Sequence, residues 1–201
     1  MAYIGLYGVY VGSCTHNAAG EWDGQYGSGC TKLGKAIAAS FTPANGGENN
    51  LYADNAIAES ASVAPAGGTL SITLDRLTDE GIMALWNITK TTESVTVNST
   101  NVNGVGFNFT GSETPWDVGV GFIRQKQLDN NRNHYEAIVF GCCTFKWPSD
   151  DAQTLGDSVE WQTPTLEATV QTGASGTNWM KRFEFPTQEA AIEWIETLLS
   201  D

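Results

Sequence analysis

The stretch Gly68-Thr-Leu-Ser-Ile-Thr-Leu-Asp75 alternates three apolar side chains with hydroxyl side chains. An alternation of period two is typical of a β-strand with one face in a core and the other in solvent. Directly after it, Thr78 is placed to cap a helix in which Ile82 and Trp86 share one face. The stretch therefore predicts a half-buried strand followed by a short helix that ends near Asn87.

Strand patterns continue on both sides of this stretch. They cover residues 4–11, 35–41, 51–61, 93–97, 105–109, 118–125, 135–147 and 158–171. Turn formers within the intervening loop predict a hairpin that joins 35–41 to 51–61. The glycine-rich residues 12–34 are expected to be irregular, and Pro164 predicts a bulge or an edge within the last strand.

The end of the chain has a helical pattern instead. Thr187 is placed to cap a run whose apolar face consists of Ala191, Trp194, Ile195 and Leu198. This pattern predicts a C-terminal helix over 187–200 that packs this face against protein. We therefore expect a single, mainly β domain over residues 1–201. Its predicted architecture is a β-sandwich or partial barrel with a flanking short helix and the C-terminal helix.

Composition narrows the function classes. Lys and Arg number 10 against 23 Asp and Glu, and the formal net charge of -13 argues against stable binding to nucleic acid. The hydrophobic fraction of 41% is that of a chain that folds. No apolar run approaches the roughly 18 to 20 residues of a membrane span, and residues 1–12 lack the pattern of a secretory signal. We therefore expect synthesis in a cytoplasm and no membrane partner.

The cysteine spacing does not match a metal-binding motif. His16 follows Cys14 by two residues, but Cys30 stands alone and Cys142-Cys143 is not a Cys-x-x-Cys pair. The sequence therefore predicts no metal ligands, and we expect the four cysteines to be reduced thiols.

Catalytic motifs are also missing from the sequence. It contains no nucleophile elbow, phosphate-binding loop, dinucleotide fingerprint or zinc-protease helix. We predict a protein that is not an enzyme, with no catalytic and no cofactor-binding residues. A thiol or metal hydrolase remains an alternative if the fold brings His134 to Cys142 or Cys143.

The tryptophans leave a further alternative open. Trp86 and Trp194 lie on the apolar faces of the predicted helices and are expected in the core. Trp116, Trp147 and Trp161 lie in or beside strands, where a core or subunit contact is expected and sugar stacking is the alternative. A β-sandwich carbohydrate-binding or adhesion module is therefore the second candidate function.

Several strand segments, taken in order, resemble the major tail proteins of siphophages, the tail tube proteins. The resemblance is carried by Ile4-Gly-Leu-Tyr-Gly-Val-Tyr-Val11, Gly34-Lys-Ala-Ile-Ala-Ala-Ser-Phe-Thr-Pro43, Leu51-Tyr-Ala-Asp-Asn55, the stretch 68–75, Val118-Gly-Val-Gly-Phe-Ile-Arg124, and the segments 135–149 and 158–170. It implies a structural virion protein that assembles as stacked hexameric rings into a hollow tail tube for genome ejection.

The resemblance also implies partners. They are further copies of the chain, the tape measure protein, and the tail terminator and baseplate proteins at the ends of the tube. DNA passes through such a tube without specific binding. The expected location is the tail of the virion, after assembly in the host cytoplasm.

In that family, two hairpins of each subunit line an inner barrel. The resemblance points to 35–41 with 51–61 and to 135–147 with 158–170. Together with the surplus of acidic residues, it makes three carboxylates the candidates that face the lumen: Asp54, Glu59 and Glu160. Glu136 is a weaker candidate, because its row of side chains fits a core better.

The long loop at the tip of the first hairpin is the candidate contact between stacked rings. Loops of this length are often functional. The residues assigned to this contact are Pro43, Asn45, Gly46, Gly47 and Glu48.

Overall fold

The computed structural model describes residues 2–44, 48–53, 56–62, 67–127, 133–149 and 162–201, which form twelve strands and two helices. The strands are β1 (Ala2–His16), β2 (Trp22–Gly34), β3 (Ala36–Pro43), β4 (Glu48–Ala53), β5 (Ala56–Ser62), β6 (Gly68–Leu74), β7 (Lys90–Val97), β8 (Thr100–Phe107), β9 (Asp117–Gln127), β10 (Asn133–Phe145), β11 (Thr165–Gln171) and β12 (Met180–Phe185). The helices are α1 (Asp79–Trp86) and α2 (Gln188–Leu198).

Eight of these strands form one antiparallel sheet. Its order is β2-β1-β9-β10-β11-β6-β3, and β12 pairs with β10 beside β11. Strand β4 pairs with β5, and β7 with β8, in two separate two-stranded ribbons. The chain is therefore mainly β with two helices, as the sequence predicts.

Strand β10 lies at the centre of the sheet. Strand β9 follows one of its edges, while β12 and β11 share the other edge. The register with β9 shifts between Phe140 and Cys143. As a result, Phe140 and Cys143 both face the inner core, whereas Cys142 faces the outer side of the sheet. Without the shift, Cys142 would share the face of Phe140.

The inner face of the sheet encloses one apolar core. Leu70, Ile72 and Leu74 point into it from β6 and are fully buried, as the alternation predicts. Val9 and Val11 of β1 belong to the same cluster, although β1 and β6 lie far apart in the order of the sheet. The sheet therefore curves until its two halves face each other across this core, which is the architecture of a sandwich or partial barrel.

Helix α2 covers the outer face of the sheet, and this confirms that its apolar side packs on protein. Ile195 is buried in a second cluster with Leu199 and residues of β9 and β10. Two glycines of β9 let the helix approach. A Cβ at Gly119 would lie 2.7 Å from Leu199 Cδ2, and a Cβ at Gly121 would lie 2.6 Å from Ile195 Cγ2. Side chains at these glycines would push the helix outward.

Trp194 is half-buried rather than fully buried. Its ring packs at the border of α2 against two rings of β12, with centroid distances of 5.0 Å to Phe183 and 5.7 Å to Phe185. The prediction that Trp86 lies in the core is confirmed, since Trp86 is 1% exposed.

Helix α1 agrees with its sequence signals. Thr78 Oγ1 accepts a hydrogen bond of 3.1 Å from the Gly81 amide, which satisfies an open donor of the first turn. Asn87 adopts the left-handed conformation at φ 51°, which ends the helix after Trp86. Leu85 and Trp86 are buried, so the predicted apolar face reaches the core.

The prediction that residues 12–34 are irregular is wrong. Strand β1 continues to His16, and β2 covers most of the rest in an antiparallel pair with several register shifts. Gly24 and Gly29 lie in β2 at φ 91° and 109°, where glycine carries no steric penalty. Glycines here permit local kinks within a long strand rather than ending it.

The predicted pairing of 35–41 with 51–61 is also wrong. Strand β3 pairs with β6, with Phe41 opposite Leu70, whereas residues 51–53 lie in β4 and residues 56–61 in β5. The centroid of the Phe41 ring lies 4.7 Å from that of Phe140 in the core. This core contact favours β6 as the partner of β3, while β4 and β5 pair with each other in a separate ribbon.

The second predicted hairpin is confirmed in part. Strand β10 pairs with β11, with Cys142 opposite Gln171 and Phe145 opposite Ala168. Strand β11 begins at Thr165, so Pro164 precedes the strand instead of interrupting it. Strand β12 was not predicted. It lies at an edge and is half exposed, so it lacks the alternation that identifies a core strand.

Candidate functional sites

The ribbon of β7 and β8 carries an exposed apolar face. A two-residue turn joins the strands, with Asn98 and Ser99 both at positive φ. Val95 lies opposite Val102, and Val97 follows two residues later on the same face. Their exposed fractions are 60%, 50% and 50% in the order Val95, Val97, Val102. The chain therefore presents three adjacent valines to solvent.

The opposite face of this ribbon is polar near the turn, whereas Val105, which is 60% exposed, lies on it farther from the turn. Ser94 Oγ donates to Asn103 Oδ1 at 2.8 Å, and Thr96 Oγ1 donates to Asn101 Oδ1 at 2.7 Å. These cross-strand pairs fix the register of the ribbon. Near the turn, the two faces therefore differ in polarity although solvent reaches both.

The β4–β5 ribbon contains part of the predicted ring contact. Pro43 ends β3 and is exposed, and Glu48 begins β4, where the structure describes the backbone alone. Asn45, Gly46 and Gly47 lie outside the described residues. The ribbon is inserted between β3 and β6, so the chain leaves the sheet at this point and returns to it.

Of the three lumen candidates, only Glu59 lies within the described residues. Asp54 and Glu160 lie outside the described residues. Glu59 lies in β5, opposite Leu51 of β4, and the structure describes its backbone alone. Their orientation toward a lumen therefore stays a prediction.

The side chain of Glu136 lies on the core-facing side of β10, as the alternation of side chains predicts. It is 7% exposed and accepts hydrogen bonds of 3.1 and 2.7 Å from Nε and Nη2 of Arg124. Arg182 Nε lies 3.6 Å from its other carboxylate oxygen. Two guanidinium groups thus compensate this buried charge.

The solvent face of β3, β6 and β11 is rich in hydroxyl groups. The strand registers align its side chains in rows across the sheet, and Thr73 Oγ1 lies 3.0 Å from Thr165 Oγ1. Glu167 lies on the same face and pairs with Lys146 at 3.3 Å. The hydroxyl residues are Ser40, Thr42, Thr69, Ser71, Thr73, Thr165 and Thr169. This surface is therefore polar and low in uncompensated charge.

An aromatic surface pocket lies beside helix α1. The Trp147 ring stacks on the Trp86 ring with 4.7 Å between the ring centroids. The Phe109 ring packs edge-on against Trp147 with 5.6 Å between the centroids. Phe109 and Trp147 are exposed and line a pocket of about 390 Å³ together with Gly111 and Glu113. Hydrogen bonds from the backbone and hydroxyl of the nearby Thr110 hold the pKa of Glu113 at about 2.

The sequence also left open whether Trp116 and Trp161 make core or subunit contacts or stack on a sugar. Trp116 is exposed, and its amide donates to Leu85 O at 2.8 Å. Trp161 lies outside the described residues.

The two histidines lie in different surroundings. His134 lies at the start of β10, where its Nδ1 is 2.9 Å from Glu184 Oε1. This is the opposite end of β10 from Cys142 and Cys143, so the geometry does not support a thiol–imidazole pair with His134. His16 instead lies at the end of β1 beside Asp117, within a cluster that also contains Cys142.

No protein-family model matches the chain, and the search of curated proteins returned no significant match. Among the described residues, neither helix has the length and apolar character needed to span a membrane.

Proposed function

We propose that this chain is the structural subunit of a siphophage tail tube, which assembles as stacked hexameric rings through which DNA is delivered. The observation that carries the proposal is the β7–β8 ribbon, which presents three valines on one face. The order of the tail-protein-like strand segments supports the same function.

The ribbon supports assembly because its apolar face gains little inside the monomer. A two-stranded ribbon is marginally stable in water by itself, and burial of apolar surface against a neighbour stabilises it. Val95, Val97 and Val102 are adjacent, so one contact can cover them together. In the proposed assembly, the occupant of this face is a second copy of the chain.

The polar surfaces support passage of DNA without retention. A wall rich in Lys and Arg would hold phosphates, whereas this chain has a formal net charge of -13. The hydroxyl face of β3, β6 and β11 offers no cationic row, since Lys146 is paired with Glu167. A surface of this kind is suited to line a channel for DNA.

The test is electron microscopy combined with analytical ultracentrifugation of the purified chain. A Val95→Asp/Val102→Asp variant places two charges on the apolar face of the ribbon. The matched control, Asn101→Asp/Asn103→Asp, adds the same charge to the polar face and keeps the acceptor oxygens of both cross-strand hydrogen bonds.

The wild type and the control variant are expected to form rings or tubes. The Val95→Asp/Val102→Asp variant is expected to be folded and monomeric, because charged groups resist burial in an apolar contact. A wild-type chain that stays monomeric at high concentration overturns the proposal. Equal assembly of the two variants would show that the valine face is not the subunit contact.

The aromatic pocket favours a second candidate function, a carbohydrate-binding module. Exposed aromatic rings such as Trp147 and Phe109 can stack on the apolar face of a sugar ring. Binding of oligosaccharides to a glycan array, lost on Trp147→Ala in a chain that does not assemble, would favour this function over the tail tube.

A further inference from the structure

Three strands bring a histidine, a carboxylate and a thiol to one place on the outer side of the sheet. His16 ends β1, Asp117 begins β9, and Cys142 lies in β10 next to the register shift. His16 Nε2 lies 3.1 Å from Asp117 Oδ2, and the potential ligand atoms of all three residues lie within 4.8 Å of one another. Imidazole, carboxylate and thiolate are the ligands that proteins use for Zn²⁺.

The thiol of Cys142 supplies the sulfur of this cluster. The Cys14 thiol lies nearby in β1, but it donates a hydrogen bond of 3.4 Å to the carbonyl oxygen of Gly141, the residue before Cys142. A metal ion bound at the cluster would replace the proton of the Cys142 thiol.

Surrounding groups orient the carboxylate. Asp117 Oδ1 accepts a hydrogen bond from the Thr144 hydroxyl, and Thr144 Oγ1 accepts one of 2.8 Å from Gln171 Nε2. Oδ2 of the same carboxylate is left facing His16. Such outer hydrogen bonds are typical of metal sites, where they hold the ligands in place.

The three side chains of the cluster differ in how far they are exposed to solvent. The side chains of His16 and Asp117 are 34% and 27% exposed, whereas Cys142 as a residue is 1% exposed. A hydrated ion can therefore reach the imidazole and carboxylate first and lose part of its water against the buried sulfur. The sulfur, the imidazole and the carboxylate supply three ligands of a tetrahedral site.

The geometry points to a Zn²⁺-binding site formed by His16, Asp117 and Cys142, which would join the end of β1 to β9 and β10. This inference is independent of the proposed tail-tube function. Three protein ligands leave the fourth tetrahedral position of the ion to water.

The test uses the full-length chain, reduced and freed of metal, and titrated with Co²⁺ and then Zn²⁺. One Co²⁺ per chain is expected, with thiolate-to-cobalt charge-transfer absorption and the visible bands of tetrahedral coordination, and Zn²⁺ should displace it. At about 100-fold excess of Zn²⁺ over the dissociation constant, the melting temperature should rise by roughly 5 to 10 °C.

Three single variants test the ligands. His16→Gln, Asp117→Asn and Cys142→Ser should each weaken binding by about 10- to 100-fold or more. The matched controls are Cys30→Ser and His134→Gln, which remove a thiol and an imidazole outside the cluster and should bind as the wild type does.

His16 is partly exposed, so its replacement keeps the test valid even if Cys142→Ser does not fold. Absence of the cobalt bands in the reduced wild type overturns the site. Wild-type affinity in both His16→Gln and Asp117→Asn would do the same, and would leave the cluster as a His16–Asp117 contact beside one buried thiol.

Discussion

The β9–β10 pair and the β7–β8 ribbon are both antiparallel pairs, yet opposite environments surround them. In β9, Val118, Val120 and Phe122 face the inner core while the other side lies under α2. In the ribbon, Val95 and Val102 pair with each other and are mostly exposed. The valines of β9 thus stabilise the monomer by burial, whereas the valines of the ribbon add little to the stability of the monomer.

This difference supports the ribbon as the contact surface of the proposed assembly. Apolar side chains of the sheet are explained by the fold, because burying them is the main stabilising contribution to folding. The valines of the ribbon are not explained in this way, and contact with a second subunit would give them the burial that the sheet has within the monomer. Equivalent substitutions in the two regions should therefore affect different properties.

The largest expected effect is in the sheet. Phe140 is 2% exposed, and the centroid of its ring lies 4.7 Å from that of Phe41 and 6.1 Å from that of Phe122. Phe140→Ala should lower the free energy of unfolding by about 3 to 5 kcal/mol, because it leaves a cavity in a packed core. Denaturant unfolding of the monomer measures this. A loss below 1 kcal/mol would mean that the core is not closed around Phe140.

An effect of intermediate size is expected at Cys30 of β2, which lies at the margin of α2. It concerns the reactivity of the thiol. Burial, with a contribution from Glu196, raises the pKa of the Cys30 thiol to about 11. At pH 8 the thiolate fraction, and with it the rate of alkylation, should be about 100-fold below that of a thiol with a pKa near 9. Peptide mapping by mass spectrometry after timed alkylation measures this rate.

The sign of the pH dependence follows from the same pKa. The folded chain holds this proton more tightly than the unfolded chain, so the contribution of Cys30 to stability is present below pH 9 and is lost as the pH rises toward 11. Glu196→Gln should increase the alkylation rate slightly, since burial is the larger cause. Alkylation of native Cys30 as fast as a free thiol would contradict the packing of α2 over β2.

The smallest effect on stability is expected in the ribbon. Val102→Ala should change the free energy of unfolding of the monomer by less than about 0.5 kcal/mol, because the side chain is already half exposed. The same variant should weaken assembly in analytical ultracentrifugation. A large loss of monomer stability would show that the ribbon packs within the subunit, and the contrast between the two regions would disappear.

Local signals in the sequence determined the elements that depend on neighbouring residues. Thr78 and Asn87 bound α1, Thr187 caps α2, and the alternation in residues 68–75 identifies the buried side of β6. Each of these features depends on contacts within a few residues, or on a face whose period is visible in the chain. They could therefore be predicted without knowledge of the fold.

Tertiary structure alone decided which distant segments meet. The pairing of β3 with β6 rather than with 51–61 depends on core contacts such as that of Phe41 with Phe140. The cluster of His16, Asp117 and Cys142 depends on the register of β1, β9 and β10, and on a shift that turns Cys142 outward. Ligand spacing along the chain carries no record of such contacts, because sheet pairing joins residues that are more than 100 positions apart.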